Sequence, residues 1–171
     1  MPKTALSVVL GIFICLPLTG YAASSDSTQA ATHHQHTQEM NRHGDMAMGF
    51  SHLKTTHHFR LSASGGSIQV QTNDANDNAS RDQIRMHLQH ITEAFKEGNF
   101  SAPEMTHSRV PPGVPTMQRL KADIEYKYEE IPAGGRVVIS TNNPQAVRAV
   151  HQFLRFQIDD HQTGDPPTIQ K

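Results

Sequence analysis

The sequence is poor in cysteine and tryptophan: its 171 residues include a single cysteine, Cys15, and no tryptophan. Cys15 lies in an amino-terminal segment that we expect to be removed, so a disulfide-stapled scaffold and a thiolate nucleophile are excluded for the mature chain. An excess of one charge is also absent, because 15 basic residues stand against 16 acidic ones. This balance provides no field that would attract nucleic acid or an anionic membrane surface.

Motifs of common enzyme classes are absent too. The sequence has no nucleophile elbow, no glycine-rich phosphate loop and no HExxH metalloprotease helix. The adjacent Asp159, Asp160 and His161 form a poor acid–base group, because neighbouring helical residues do not face one another. We therefore expect a binding protein rather than an enzyme, while catalysis by a histidine with a distant carboxylate stays open.

Long apolar runs are missing except at the amino terminus, over residues 5–18. Lys3 precedes this run, and the small residues Gly20 and Ala22 stand where a signal peptidase cleaves. We therefore predict a signal peptide over residues 1–22 and export of the mature chain, either to the periplasm or by secretion. An uncleaved membrane anchor and a lipoprotein are the alternatives.

Histidine is the residue in excess, with 12 copies. Many of them lie in residues 23–53, which have almost no branched apolar side chain and are predicted to be disordered. Imidazole and thioether together favour copper in both oxidation states, and imidazole alone would also bind zinc or nickel. The candidate metal ligands of this segment are His33, His34, His36, Met40, His43, Met46, Met48 and His52. A solvated tail with incidental affinity is the alternative, and a cloning tag is disfavoured by the interrupted HHQH pattern.

The rest of the chain has two similar halves, over about 54–98 and 123–161. The string GGSIQVQTND from Gly65 matches GGRVVISTNN from Gly134, and an alternating apolar stretch precedes each glycine pair. Two glycines between alternating runs indicate a hairpin turn, and a helical pattern follows each second run. Each half therefore predicts the order strand, strand, helix.

The expected fold class is α+β, a two-layer sandwich with a pseudo-duplicated ββα-ββα order. A four-stranded antiparallel sheet would have two helices on one face, in a domain over 54–165 that is followed by a tail over 166–171. A capping box at Ser80 is predicted to start the first helix. Asn143 and Pro144 are predicted to start the second helix.

The connection between the halves, 99–122, has four prolines and is predicted to be extended and to cover part of the domain. It includes His107, while His87 and His151 flank the apolar stripes of the two predicted helices. A metal site of His87, His107 and His151 is open, and the alternative is a set of separately packed histidines. His161 also lies under the second stripe, but about 15 Å of helix separates it from His151. Only one of His57 and His58 can face the core, and both are expected at a strand edge or surface. The alignment of His57 with Tyr126 of the second half favours an amphipathic packing role for it.

Four strings carry a resemblance to a known group: MGFSHLKTTHHFRL, SRDQIRMHLQHI, PPGVPTMQRLK and FLRFQIDDHQTGD. They resemble a family of small exported bacterial proteins without an assigned activity, over about residues 48–165. Members often carry His- and Met-rich leaders, which implies metal handling. Some carry an aspartate carbamoyltransferase label, but this chain is too short for that enzyme's two α/β domains and lacks its carbamoyl-phosphate loop.

The sequence therefore predicts an exported metal-binding protein that buffers or carries copper. Its expected partner is the metal ion, with another exported protein or a second copy of the chain as a further partner. The alternative is a small interaction or dimerisation module with no metal function, which would use the open face of the sheet or the proline-rich connection.

Overall fold

A computed structural model describes the backbone of residues 25–170 and the side chains of residues 34–170. The predicted signal peptide, 1–22, lies outside the described residues. The helices are α1 (Ser25–Met48), α2 (Asn78–Lys96), α3 (Ser101–His107), α4 (Val114–Arg119) and α5 (Pro144–His161), and the strands are β1 (Thr55–Ser62), β2 (Gly65–Thr72), β3 (Ile124–Ile131) and β4 (Gly134–Thr141). Within residues 25–170, no helix combines the length and apolar composition needed to span a bilayer.

The strands form one antiparallel sheet with the order β1-β2-β4-β3. This confirms the α+β class and the four-stranded antiparallel sheet. The turns are formed by residues 63–64 and 132–133, and each glycine pair instead begins the returning strand. Glycine is needed at Gly66 because a Cβ atom there would lie 2.2 Å from the carbonyl oxygen of Arg60 and 2.4 Å from Cδ1 of Leu154.

Helices α2 and α5 cover one face of the sheet, as predicted. Burial alternates along the central strands, so that apolar residues face the helices and polar residues such as Gln69 and Arg136 face outward. The largest fully buried side chains include Phe95, Phe100 and Phe153. The described chain twice follows the order strand, strand, helix, while an internal duplication of the sequence stays a prediction.

The helix starts were predicted with mixed success. Asn143 caps α5 by accepting hydrogen bonds from the amides of the first turn, and Pro144 is its first residue, as predicted. The prediction of a Ser80 cap for α2 is wrong. Asp77 caps this helix, accepting from the Ser80 amide at 3.0 Å and from the Ser80 hydroxyl at 2.8 Å. Both Asp77 and Ser80 are residues that cap helices, and the sequence pattern pointed to Ser80, which is the third residue of α2.

The prediction of an extended connection over 99–122 is also wrong. This segment forms the short helices α3 and α4, because Pro103 and Pro115 lie in the first turns, where a missing N–H costs nothing. Gly113 joins them at φ 88°, where a Cβ atom would lie 2.1 Å from the carbonyl oxygen of Ala149. The connection does cover part of the domain, as expected.

The prediction of disorder over residues 23–53 is wrong for its described part. Residues 25–48 form α1, which packs mainly against α3 and in which Met40 and Gly44 are buried. Gly49, at φ 78°, ends this helix. The segment contains no proline, and a helix that finds a packing partner can form without strong amphipathicity of its own.

Candidate metal site: a histidine-lined cavity

A cavity of about 70 Å³ lies between the sheet and helices α1, α2, α3 and α5. Its floor is apolar and consists of side chains from the sheet and from α2. Five potential metal ligands also line it: Met48, His57, His87, His107 and His161. We call this feature the histidine cavity. No aspartate, glutamate, lysine or arginine is among the described residues that line it.

The ligands of the histidine cavity come from five different elements or their ends. His57 shares the core-facing side of β1 with Phe59, because alternate residues of a strand point the same way. His161 ends α5, three residues after the buried Ile158. Residues 57–58 lie on an edge strand, as expected, but the His57 side chain faces the cavity and not the outer surface. The sequence signal for this orientation is that His57 lies two residues before the apolar Phe59, on the same side of the strand.

The rings of the cavity are arranged as a continuous aromatic group. The imidazoles of His57 and His161 stack with centroids 5.7 Å apart and an interplanar angle of 8°. The His107 ring meets His161 edge-on at 5.0 Å. Phe50 links His57, at 6.3 Å, to His87, at 5.7 Å. Three of the four imidazoles thus lie within contact of another imidazole, and Phe50 separates the fourth.

Burial decides the protonation of these rings. Desolvation lowers the pKa of His57 to about 4, with the neighbouring His87 imidazole as the next cause. Desolvation likewise lowers the pKa of His87 to about 4 and that of His161 to about 3. A charged imidazolium is disfavoured in an apolar setting and beside other imidazoles. All three rings are therefore neutral near pH 7, with a ring nitrogen free of a proton.

His107 differs from the other three because both its nitrogens are engaged. Its Nδ1 donates to Asp160 Oδ2 at 2.6 Å, and its Nε2 lies 3.0 Å from Gln157 Oε1. Asp160 also accepts from Arg109 at 2.9 Å and from His36 at 3.2 Å. Burial alone would raise the pKa of the Asp160 carboxyl, but hydrogen bonds from His107 and His36 outweigh it and hold that pKa below its usual range. Because both of its ring nitrogens have partners, the His107 ring is held in place as part of the cavity wall.

Asp160→Asn is expected to lower the free energy of unfolding by about 2 kcal/mol, because it removes a buried charge that three donors share. Urea unfolding at pH 7 measures the loss. Asp159→Asn is the matched control, since Asp159 is the exposed neighbour on the same helix, and it should change stability by less than about 0.5 kcal/mol. Equal losses in the two variants would contradict a role for this ion-pair network.

The structure places His87 and His107 in the lining of one cavity, but it does not bring His151 to them. His151 Nε2 donates to the carbonyl oxygen of Ser62 at 2.9 Å, and the residue does not line the histidine cavity. The helix repeat explains this, because ten residues of α5 separate His151 from His161 by about 15 Å. His161 takes the place that His151 was expected to fill.

The amino-terminal candidates lie mostly outside the cavity. His52 donates to Asp45 at 2.9 Å, and His43 lies 3.2 Å from the Ser108 hydroxyl. Met46 and His34 are exposed. His33 belongs to α1, but its side chain lies outside the described residues. Of this set, Met48 alone among the described side chains lines the histidine cavity.

Two further findings bear on function. Among residues with described side chains, no group of three or more His, Cys, Asp or Glu is arranged so that it could hold a metal ion. No protein-family model, curated protein or solved structure matches this chain at a significant level. The resemblance to exported bacterial proteins therefore stays a prediction.

Proposed function

We propose that this is an exported protein that binds a copper ion in the histidine cavity, for buffering or carriage. His57, His87, His161 and Met48 are the proposed pool of ligands. One observation carries the proposal: three uncharged imidazoles and a thioether, from four separate parts of the chain, line one cavity. A set of soft and borderline donors in the lining of one cavity matches the ligand preference of copper.

The size of the cavity favours an ion over an organic ligand. Its volume of about 70 Å³ exceeds the roughly 10–15 Å³ that a single water needs. It is far smaller than the roughly 300–1,000 Å³ of a pocket for a drug-sized ligand. An ion with its donors therefore fits the space better than a metabolite does.

The number of available donor side chains limits the coordination number that we propose for the ion. Since no group of three or more His, Cys, Asp or Glu is arranged for a metal among the described side chains, a four-coordinate nitrogen and oxygen site is not part of the proposal. A site of low coordination number with the Met48 thioether as one donor is consistent with this finding. The neutral imidazoles support it, because a metal competes there with few protons above about pH 5.

The exposed histidines of α1 have a separate place in the proposal. His34 is exposed, and His36 reaches Asp160 from the solvent side of the cavity wall. Imidazoles on an exposed helix bind Cu(II), Zn(II) or Ni(II) weakly and without selectivity. These residues are proposed to collect ions near the protein, and the histidine cavity is proposed to retain them.

Copper titration of the full chain tests the proposal. The double variant His57→Gln, His161→Gln is expected to weaken the binding of copper in at least one of its oxidation states, Cu(I) or Cu(II), by at least about 100-fold, which corresponds to about 2.7 kcal/mol of lost ligation. Affinity is measured by competition with a chromophoric chelator, and circular dichroism verifies the fold.

His90→Gln is the matched control for the copper titration. His90 is exposed on α2, three residues from His87, and it does not line the cavity. This variant should bind copper like the unchanged protein. Equal binding by the control and the double variant would contradict the cavity as the copper site. The alternative function, docking of another exported protein or of a second copy, would then become the better explanation.

A further inference from the structure

We infer that the histidine cavity selects a monovalent soft ion, Cu(I) or Ag(I), over the divalent ions Cu(II) and Zn(II). The inference rests on the proposed function, because it assumes that the cavity holds a metal ion. It specifies that the ion is monovalent and soft, which the presence of imidazoles alone does not determine.

The charge of the cavity is the first argument. No described carboxylate lines it, and the two carboxylates whose charges act on its imidazoles, Asp45 and Asp160, both accept hydrogen bonds from other side chains. Asp160 accepts from His107, Arg109 and His36, and Asp45 accepts from His52. Among the described residues, a second positive charge in the cavity would therefore have to be balanced by carboxylates that lie outside its lining and already accept hydrogen bonds.

Desolvation makes this difference large. The Born cost of transferring an ion from water to an apolar site grows with the square of its charge, so a divalent ion pays roughly four times the cost of a monovalent one. The walls are apolar, with Phe59, Ile68 and Leu88 among them. A monovalent ion can be held there by neutral donors alone, whereas a divalent ion would require carboxylates or retained water.

The donors are the second argument. The Met48 thioether is a soft ligand that favours Cu(I). Zn(II) is bound almost always by four ligands in tetrahedral sites. The described side chains provide no group of three or more His, Cys, Asp or Glu in that arrangement. A thioether with one or two imidazoles instead satisfies Cu(I), which is stable at low coordination numbers.

The selectivity test compares four ions on the full chain: Cu(I) under reducing, oxygen-free conditions, Ag(I), Cu(II) and Zn(II). Cavity binding of each ion is the part of its affinity that the His57→Gln, His161→Gln double variant removes. Cu(I) and Ag(I) are expected to lose at least about 100-fold in the double variant, while Cu(II) and Zn(II) lose less than about threefold. Divalent binding that persists in the double variant belongs to the surface histidines.

Met48→Leu and Met46→Leu form the matched pair for the thioether. Met48 lines the cavity, whereas Met46 lies two residues earlier on α1 and is 67% exposed. Leucine keeps the volume and removes the sulfur, so Met48→Leu should weaken Cu(I) and Ag(I) by at least about tenfold. Met46→Leu should change neither.

The outcomes separate the inference from the proposed function. If the double variant lowers Zn(II) or Cu(II) affinity as much as Cu(I) affinity, the cavity binds metal without charge selectivity, and only the inference is overturned. If it lowers the affinity of no ion, the proposed function is overturned as well. If Met48→Leu binds Cu(I) and Ag(I) like the unchanged protein, the thioether is not a ligand and the inference is overturned on its second argument.

Discussion

Acidification from pH 6.5 to pH 4 is expected to remove several kcal/mol of stability, enough to unfold much of the protein. His57, His87 and His161 have pKa values near 4, 4 and 3 in the folded chain, against 6.5 for an ordinary histidine. Between these limits the unfolded chain binds more protons than the folded one, so stability falls as the pH falls. Their contribution is fully present above pH 6.5 and is lost progressively toward pH 4.

The expected steepness follows from linkage. Each histidine contributes a slope of up to about 1.4 kcal/mol per pH unit, and three together contribute up to about 4 kcal/mol per pH unit within this window. A domain of ordinary stability has only about 5–15 kcal/mol in total. Below about pH 4 the carboxylates continue the loss, since hydrogen bonds hold the pKa values of Asp160 and Asp165 under the usual 3.8.

Urea unfolding between pH 4 and pH 8 measures this dependence. The double variant His57→Gln, His161→Gln should show a flatter profile, because it removes two of the three groups. His90→Gln is the control, because His90 is exposed and acts only on His87 among the three, where desolvation is the larger cause. It should retain most of the steep profile. A profile that is flat above pH 4 in the unchanged protein would show that these imidazoles are solvated.

Phe153→Ala is expected to lower the free energy of unfolding by about 3–5 kcal/mol. Phe153 is 1% exposed and meets Phe95 and Phe100 edge-on, with centroids 6.2 and 6.0 Å away. These rings come from α5, α2 and the start of α3, so the substitution leaves a void where three elements meet. The side chain also lines the histidine cavity, and the void would therefore join that cavity.

Chemical denaturation at pH 7 measures the loss in Phe153→Ala. Phe156→Ala is the matched control on the same helix, since Phe156 is half-buried and packs against His107 and the Arg109 guanidinium instead of the core. Its cost should be less than half that of Phe153→Ala. A smaller loss for Phe153→Ala than for Phe156→Ala would mean that the aromatic cluster does not hold the layers together.

The strands and the two long core helices could be predicted because their patterns are local. Alternation along β2 and β4 assigns Val70 and Ile139 to the core face without any knowledge of the partner strand. The same parity in β1 would have assigned His57 to the core. Its alignment with Tyr126 favours the same packing role, but two adjacent polar imidazoles together indicate an edge or surface pair.

Helix α1 could not be predicted from its own residues. Its main packing partner is α3, and Gly44 lies against Thr106 of that helix. Helix α3 lies in a segment whose prolines had indicated an extended chain. A helix without a strong apolar stripe is stabilised by its tertiary partner, and the partner was itself predicted as something else.

The sequence by itself determined the chemistry available to this protein. It has abundant imidazole and thioether, no cysteine outside the first 22 residues, no excess charge, and apolar periodicities that specify strands and helices one at a time. The tertiary structure alone decided which histidines share a cavity. His57 and His161 are 104 positions apart, and their rings stack with centroids 5.7 Å apart because α5 packs against β1. Packing then desolvates these rings and lowers their pKa values, and this burial depends on contacts between elements that no local pattern encodes.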